Sequence, residues 1–158
     1  MPPLSPANME AANYCDSGDL ALNDKKWSLA IQNYSRAIEL SPDLWAAHFG
    51  LGNAYVQTNQ VLPAIKEFSE CIRICPEFGA PWYWRGLIHE ELHFVWWAIR
   101  DYLAALKTQN LFAEDDHNAR VRANHLIEAY KVIWRNPDAL PKWKRAVSTV
   151  RLEIIHAA

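Results

Sequence analysis

The chain of 158 residues has little of several features that would indicate other classes of protein. It contains only five glycines, and no hairpin dipeptide separates alternating segments, so a β-sheet fold is not indicated. Its three cysteines, Cys15, Cys71 and Cys75, include no Cys-x-x-Cys pair. An odd number of unclustered cysteines argues against a disulfide framework and favours a reducing, cytoplasmic compartment.

Long apolar runs and a strong net charge are also missing. The most apolar stretch, 94–99, is far shorter than the roughly 18 residues of a membrane span. The first residues hold no basic region followed by an apolar run, so no signal peptide is indicated. The net charge of -2 gives no overall signal for nucleic acid or an anionic membrane. We expect a protein that is not inserted into a membrane.

What the chain does have is a period of 34 residues. Small and aromatic residues recur at this spacing, namely Gly18, Gly52 and Gly86; Ala30, Ala64 and Ala98; and Tyr34, Phe68 and Tyr102. Within each period the apolar residues are three and four apart in two stripes that a polar break separates, which predicts two helices joined by a tight turn. Glycine costs about 1 kcal/mol inside a helix, so its recurrence at one register indicates close helix packing. The period predicts an all-α stack of helical hairpins.

The second period carries the fullest motif. It reads Leu51-Gly52-x2-Tyr55, then Ala64-x3-Phe68, then Pro76. This resembles the tetratricopeptide repeat (TPR) family, whose units carry Trp-x2-Leu-Gly-x2-Tyr, Ala-x3-Phe and Pro. The resemblance implies an α-solenoid of three helix-turn-helix units, with boundaries at 11–44, 45–78 and 79–112.

The segments outside the three units are predicted to be helical as well. Residues 1–10 form an N-terminal extension that includes the start of the first helix. Residues 113–158 form two C-terminal helices that cap the solenoid, because the last unit of a stack needs its apolar face covered. Asp115 or Asp116 caps the first of these helices, which runs to about Arg135. Pro141 opens the second, which carries Trp143.

In the TPR family the first helix of each unit lines a concave groove. The resemblance therefore implies a partner-binding surface made of Asp19, Leu22, Asn23, Phe49, Asn53, Val56, Gln57, Tyr83, Trp84, Leu87, Glu90 and Glu91, with Cys15 beside them. This mixture of aromatic and acidic side chains predicts an apolar or weakly basic peptide or helix as partner, with aromatic anchors. Alternatively, the tryptophans are partly core or covered by the C-terminal helices, or the tail or a second copy fills the groove. Eight tryptophans also make a homodimer plausible.

One subfamily of TPR domains holds the C-terminal carboxylates of Hsp70 and Hsp90 with lysines, arginines and asparagines in this groove. The matching positions here carry no cation, since they are Cys15, Asp19, Gly50, Ala80 and Trp84. The sequence therefore argues against a carboxylate clamp.

A zinc-peptidase signature, His-Glu-x-x-His, occurs at 89–93. Two histidines four apart on a helix can hold zinc, with the first glutamate as general base. The period argues against this use, because His93 aligns with Asn59 and Lys25, in the turn between helices. A third ligand at the usual spacing is also missing. We therefore predict no metal, no cofactor and no catalytic residue, with a metallopeptidase as the alternative.

The C-terminal segment supports a further alternative. Basic residues lie near aromatic ones in the stretch 142–145 and, upstream, at Arg120, Arg122, Lys131 and Arg135. Such a pattern can bind RNA or an anionic surface, but a capping helix with a solvated basic face is favoured, because the whole chain is slightly negative. The sequence thus predicts a non-enzymatic adaptor that binds a protein partner and no small-molecule substrate.

Overall fold

The computed structural model describes residues 6–108 and 113–135, and in the last helix it describes the side chains of 117–128. This part of the chain is helical and has no strand. Its helices are α1 (Pro6–Asn23), α2 (Trp27–Leu40), α3 (Trp45–Gln57), α4 (Val61–Ile74), α5 (Gly79–Glu91), α6 (Val95–Lys107) and α7 (Ala113–Arg135). The all-α solenoid that the period predicts is confirmed. The predicted last helix from Pro141, with the basic stretch 142–145, lies outside the described residues.

The helices form three antiparallel hairpins that stack in chain order. Within a hairpin α1 packs on α2, α3 on α4 and α5 on α6, and successive hairpins meet where α2 contacts α3 and α4 contacts α5. Proline limits the second helix of the first two hairpins. The helices end at Leu40 and Ile74, two residues before Pro42 and Pro76, because proline cannot continue the helical hydrogen bonds.

The turns inside the hairpins share one geometry. Lys25, Asn59 and His93 adopt the left-handed backbone conformation, with φ of 59°, 56° and 60°. The next residue in each turn donates its N–H to the carbonyl five residues earlier, over 2.8, 2.8 and 2.7 Å. This pattern ends a helix by satisfying carbonyls that lack a partner. The 34-residue period is therefore repeated in backbone geometry, and His93 lies in a turn as its register predicts.

The repeated glycines make room for an aromatic ring from the second helix of their own hairpin. A Cβ atom added at Gly18 would lie 2.6 Å from the Tyr34 ring, and one at Gly52 would lie 2.7 Å from the Phe68 ring. Tyr34 also presses against Gly50 of the next hairpin. The predicted role of this ring, filling the space between units, is confirmed for Tyr34.

Helix α7 begins earlier than predicted. It starts at Ala113, so Asp115 and Asp116 lie inside its first turn, where the helix dipole favours acidic residues. It packs mainly on α6 and also touches α5. Its buried residues Ala119 and Ala123 lie 68 positions after Leu51 and Tyr55. The expectation that the repeat stops near 112 is thus corrected, since the motif ends there but the packing register continues into α7.

Candidate functional site

Residues at four registers on α1, α3 and α5 form what we call the first-helix face. Each register supplies one residue from each hairpin, 34 positions apart: Cys15, Phe49 and Tyr83; Asp19, Asn53 and Leu87; Leu22, Val56 and Glu90; and Asn23, Gln57 and Glu91. Trp84 adjoins them. This set is the sequence-predicted site, and the side chains differ widely in their exposure.

The first register forms the floor of this face. Cys15 is buried, which raises its pKa to about 11 chiefly through loss of hydration, with a smaller contribution from the Asp19 charge. Phe49 is half-buried, and its ring centre lies 5.0 Å from that of Phe78 and 6.0 Å from that of Phe68. These contacts hold the Phe49 ring in a fixed position at the surface of the core.

Tyr83 corrects one expectation. Its side chain is only 6% exposed, because it packs with Tyr102 and with Ala119 and Ala123 of α7. It belongs to the core and is not an exposed anchor. The alternative that a C-terminal helix covers part of the aromatic surface therefore applies to Tyr83. Trp84 is half-buried beside it.

The other three registers are accessible. Asp19, Asn23, Gln57 and Glu91 are exposed, and Leu22, Asn53, Val56, Leu87 and Glu90 are half-buried. Two apolar side chains, Leu22 and Val56, share a register on neighbouring hairpins and are flanked by polar ones. An accessible apolar strip with polar edges is the composition that protein-binding surfaces show.

Tyrosines from the second helices hold two of the acids on this face. The Tyr34 hydroxyl donates to Asp19 over 2.6 Å, and the Tyr102 hydroxyl donates to Glu90 over 2.5 Å. Burial, and then the bond to the carboxylate, raises the pKa of both tyrosines, so both hydroxyls stay protonated as donors. Glu90 also accepts from Arg122 of α7 over 3.0 Å. The two carboxylates are therefore fixed in position, and Asp19 remains exposed.

The positions that form a carboxylate clamp in some TPR domains are largely internal in this chain. Cys15 and Ala80 are buried, and Gly50 lies beneath the Tyr34 ring. Asp19 is exposed but acidic. Neither the charge nor the accessibility of these positions suits an acidic ligand.

The zinc-peptidase signature is taken apart by the fold. His89 is buried and pairs through Nδ1 with Asp101 over 2.9 Å, and Glu90 is engaged by Tyr102 and Arg122. His93 lies beyond the C-terminal residue of α5, in the turn. In the described part of the chain no three His, Cys, Asp or Glu side chains group as a metal site requires. The three residues of the motif therefore have separate structural contacts.

Two buried ion pairs were not foreseen from the sequence. Asp101 is fully buried and accepts from Nε and Nη2 of Arg85, each over 2.8 Å, and Glu67 contacts Nδ1 of buried His48 over 2.7 Å. Glu67 and Asp101 are 34 residues apart, so they occupy one register. Burial alone would raise the pKa of Asp101, but its bonds to Arg85 and His89 lower it. The signal in the sequence was an acid recurring on the inner side of a second helix.

Charge is divided between the two kinds of helix. The first helices α1, α3 and α5 carry five acids, Glu10, Asp16, Asp19, Glu90 and Glu91, and one cation, the buried Arg85. The second helices α4 and α6 carry four exposed cations, Lys66, Arg73, Arg100 and Lys107. The overall charge of -2 therefore conceals two surfaces of opposite sign.

Comparison with known proteins agrees with this architecture. A family model described as "TPR repeat" matches residues 18–59, and one described as "Tetratricopeptide repeat" matches 46–78. The Arabidopsis OM64 TPR domain has a similar structure, with a TM-score of 0.70 and 19% identity, over 78% of this chain and 98% of that one. The TPR2B domain of yeast Sti1, in complex with an Hsp70 peptide, gives a TM-score of 0.69 and 14% identity, over 77% and 98% of the two chains. The first TPR domain of Spaghetti (RPAP3), bound to an HSP90 peptide, gives 0.68 and 17%, over 76% and 95%.

Three stacked hairpins with glycine-to-ring packing define an α-solenoid built for protein interaction. With the two family matches, the chain is a tetratricopeptide repeat protein.

Proposed function

We propose that the protein is a non-enzymatic adaptor that binds a peptide or helix of a partner protein along the first-helix face. In this proposal the accessible ligand-contacting residues are Asp19, Leu22, Asn23, Asn53, Val56, Gln57, Leu87, Glu90 and Glu91, with Phe49 and Trp84 as half-buried aromatic contacts. The three free cysteines fit a reducing, cytoplasmic setting, which is part of the proposal. A homodimer that uses the same face is a second possible occupant of it.

The division of charge is the observation that carries the proposed ligand. Solved TPR neighbours bind Hsp70 and HSP90 peptides, but here the face holds acids and its clamp positions are buried or acidic. An acidic peptide would place its charge against Asp19 and Glu91, which is unfavourable. We infer a ligand with apolar side chains for Leu22 and Val56 and a basic side chain near Asp19. Asp19 is already held by Tyr34, so little side-chain freedom is lost on binding.

Selection of phage-displayed peptides on the immobilised full chain tests this proposal. Selected peptides are expected to combine apolar and basic residues, and their affinity is measured by fluorescence anisotropy. Val56→Asp should weaken them by at least about tenfold, because it places a charge in the apolar strip. Asp19→Asn should weaken basic peptides by about fivefold, the worth of one exposed charge-assisted contact.

Leu20→Ser is the matched control, since Leu20 is one residue from Asp19 on α1 and is exposed outside the predicted face. It should leave affinity unchanged. Selection of acidic C-terminal sequences, or peptides insensitive to both Val56→Asp and Asp19→Asn, would show that the ligand or the face is wrongly assigned.

A further inference from the structure

The outer sides of α4 and α6 carry matching lines of exposed residues, which we call the outer stripes. One consists of Leu62, Lys66 and Arg73, and the other of Trp96, Arg100, Leu103 and Lys107. The spacing of four and then seven or fewer residues keeps each line on one side of its helix. The two stripes are in register, because Trp96, Arg100 and Lys107 follow Leu62, Lys66 and Arg73 by 34 positions. The stripes therefore lie side by side on neighbouring hairpins, away from the first-helix face.

Large apolar side chains gather at one end of these stripes. Leu92 and Phe94 in the α5–α6 turn and Trp96 and Trp97 in the first turn of α6 are all exposed, and Leu62 at the start of α4 is 74% exposed. The Arg100 guanidinium stacks on the Trp97 ring, 4.2 Å from its centre. The result is a projecting aromatic edge next to cations.

The charge of this surface is strongly one-sided. Of the acids on α4 and α6, Glu67 and Asp101 are buried, and Glu70 is paired with Arg73 over 2.8 Å. Glu91, at the end of α5, is the exposed carboxylate nearest in sequence to the aromatic edge. Lys66 and Lys107 make no ion pair with any residue that the structure describes. Four exposed cations thus border the aromatic edge.

We propose that the outer stripes and the aromatic edge dock the protein on an anionic lipid bilayer. Tryptophan rings favour the boundary between headgroups and acyl chains, where the ring is apolar and its N–H can be hydrated. Lysine and arginine beside them meet the negative surface potential of acidic lipids. Association with a membrane is strengthened when buried apolar area and basic charge act together, as they do here.

The geometry selects this occupant over a second copy of the chain. In a symmetric dimer the same patch faces itself, so Arg100 and Lys107 would meet their own equivalents at a cost in repulsion. Anionic headgroups instead supply the missing negative charge. In the described residues no helix is long and apolar enough to cross a bilayer, so the docking is peripheral.

Co-sedimentation of the full chain with vesicles tests the proposal, which does not depend on the peptide ligand. The vesicles are phosphatidylcholine alone, or phosphatidylcholine with about a quarter phosphatidylserine. Binding is expected to the second kind only and to fall with added salt. Trp96→Ser/Trp97→Ser should lower the partition coefficient about tenfold through lost apolar burial. Lys107→Gln should lower it about fivefold, the effect of one basic residue near an anionic surface.

Circular dichroism and melting curves establish that each variant is folded, and Lys107→Gln removes a charge without removing a packed side chain. Leu20→Ser is again the control, since it removes an equally exposed apolar residue from another part of the surface. The proposal is overturned if the chain stays in the supernatant with both vesicles, or if Leu20→Ser matches the tryptophan variant. It is also overturned if the tryptophan variant changes only self-association or only capture of an acidic protein.

Discussion

His48 and Trp82 lie 34 residues apart and make the same hydrogen bond. His48 Nε2 lies 2.9 Å from the carbonyl oxygen of Pro42, and Trp82 Nε1 donates to that of Pro76 over 3.1 Å. The histidine thus takes the place of the first aromatic residue of the TPR motif and keeps its bond to the end of the preceding unit. Its second nitrogen then faces Glu67. With Glu67 ionised, both ring nitrogens must donate, so His48 is held as an imidazolium.

This arrangement predicts a loss of stability at higher pH. Burial alone would lower the pKa of His48, but the bonds to Glu67 and Pro42 raise it above its ordinary 6.5. A raised folded-state pKa means that the stabilisation is complete below pH 6.5 and is lost as the pH rises through the folded value. The free energy of unfolding, measured with urea across this range, should therefore fall as the pH rises.

Glu67→Gln isolates the contribution of this pair. The variant should be less stable than the native chain at low pH, and the difference should shrink as the pH rises, because other titrating groups cancel in the comparison. An NMR titration should show a lower His48 pKa in the variant. A difference that is independent of pH would contradict an ionised His48–Glu67 pair.

Asp101→Asn should be the most destabilising conservative change in the third hairpin. The asparagine cannot accept both bonds from Arg85, which would keep a buried charge without its partner. Breaking a buried pair in this way costs about 3–5 kcal/mol. Asp24→Asn, at an exposed pair with Lys26, should change the free energy of unfolding by less than about 0.5 kcal/mol. Equal effects of the two changes in chemical denaturation would refute the assigned importance of the buried pair.

Gly52→Ala tests the packing of the repeat. Alanine favours a helix by about 1 kcal/mol over glycine, but its Cβ would lie 2.7 Å from the Phe68 ring. Overpacking of this kind costs about 1–3 kcal/mol, so we expect a lower melting temperature. Adding Phe68→Leu should recover part of the loss relative to Phe68→Leu alone. Ser17→Ala, at an exposed helical position, is the control and should be nearly neutral.

The period made most of the fold predictable, because each helix, turn and ring recurs with local spacing that a sequence displays. The position of Tyr83 was not predictable in this way. Its own helix gives it the register of an exposed groove residue, and α7, about 36 residues later, buries it. Contacts of this kind depend on how a separate helix packs, which the spacing within α5 does not record.

The buried charges show the same limit. Glu67 lies in a charged segment of α4 and reads as a solvated residue, yet it faces His48 on another helix. The bond between Arg122 and Glu90 joins α7 to α5 across 32 positions. The sequence also located the first-helix face only through resemblance to the TPR family, and its role in binding stays a prediction.

His93→Gly should stabilise the protein. His93 holds a φ of 60°, which costs a residue with a side chain about 1 kcal/mol and costs glycine almost nothing. Its side chain is exposed, so little packing is lost. We expect the free energy of unfolding to rise by up to about 1 kcal/mol. Lys25→Gly, at the same register, should give a similar gain, and Asn59→Gly a smaller one, because asparagine tolerates this conformation. The measurement also separates the two interpretations of the 89–93 motif. If His93 were a zinc ligand, replacing it would lower stability in the metal-loaded protein and release stoichiometric zinc, detected by elemental analysis, whereas a residue strained in a turn gives a more stable variant with or without added zinc.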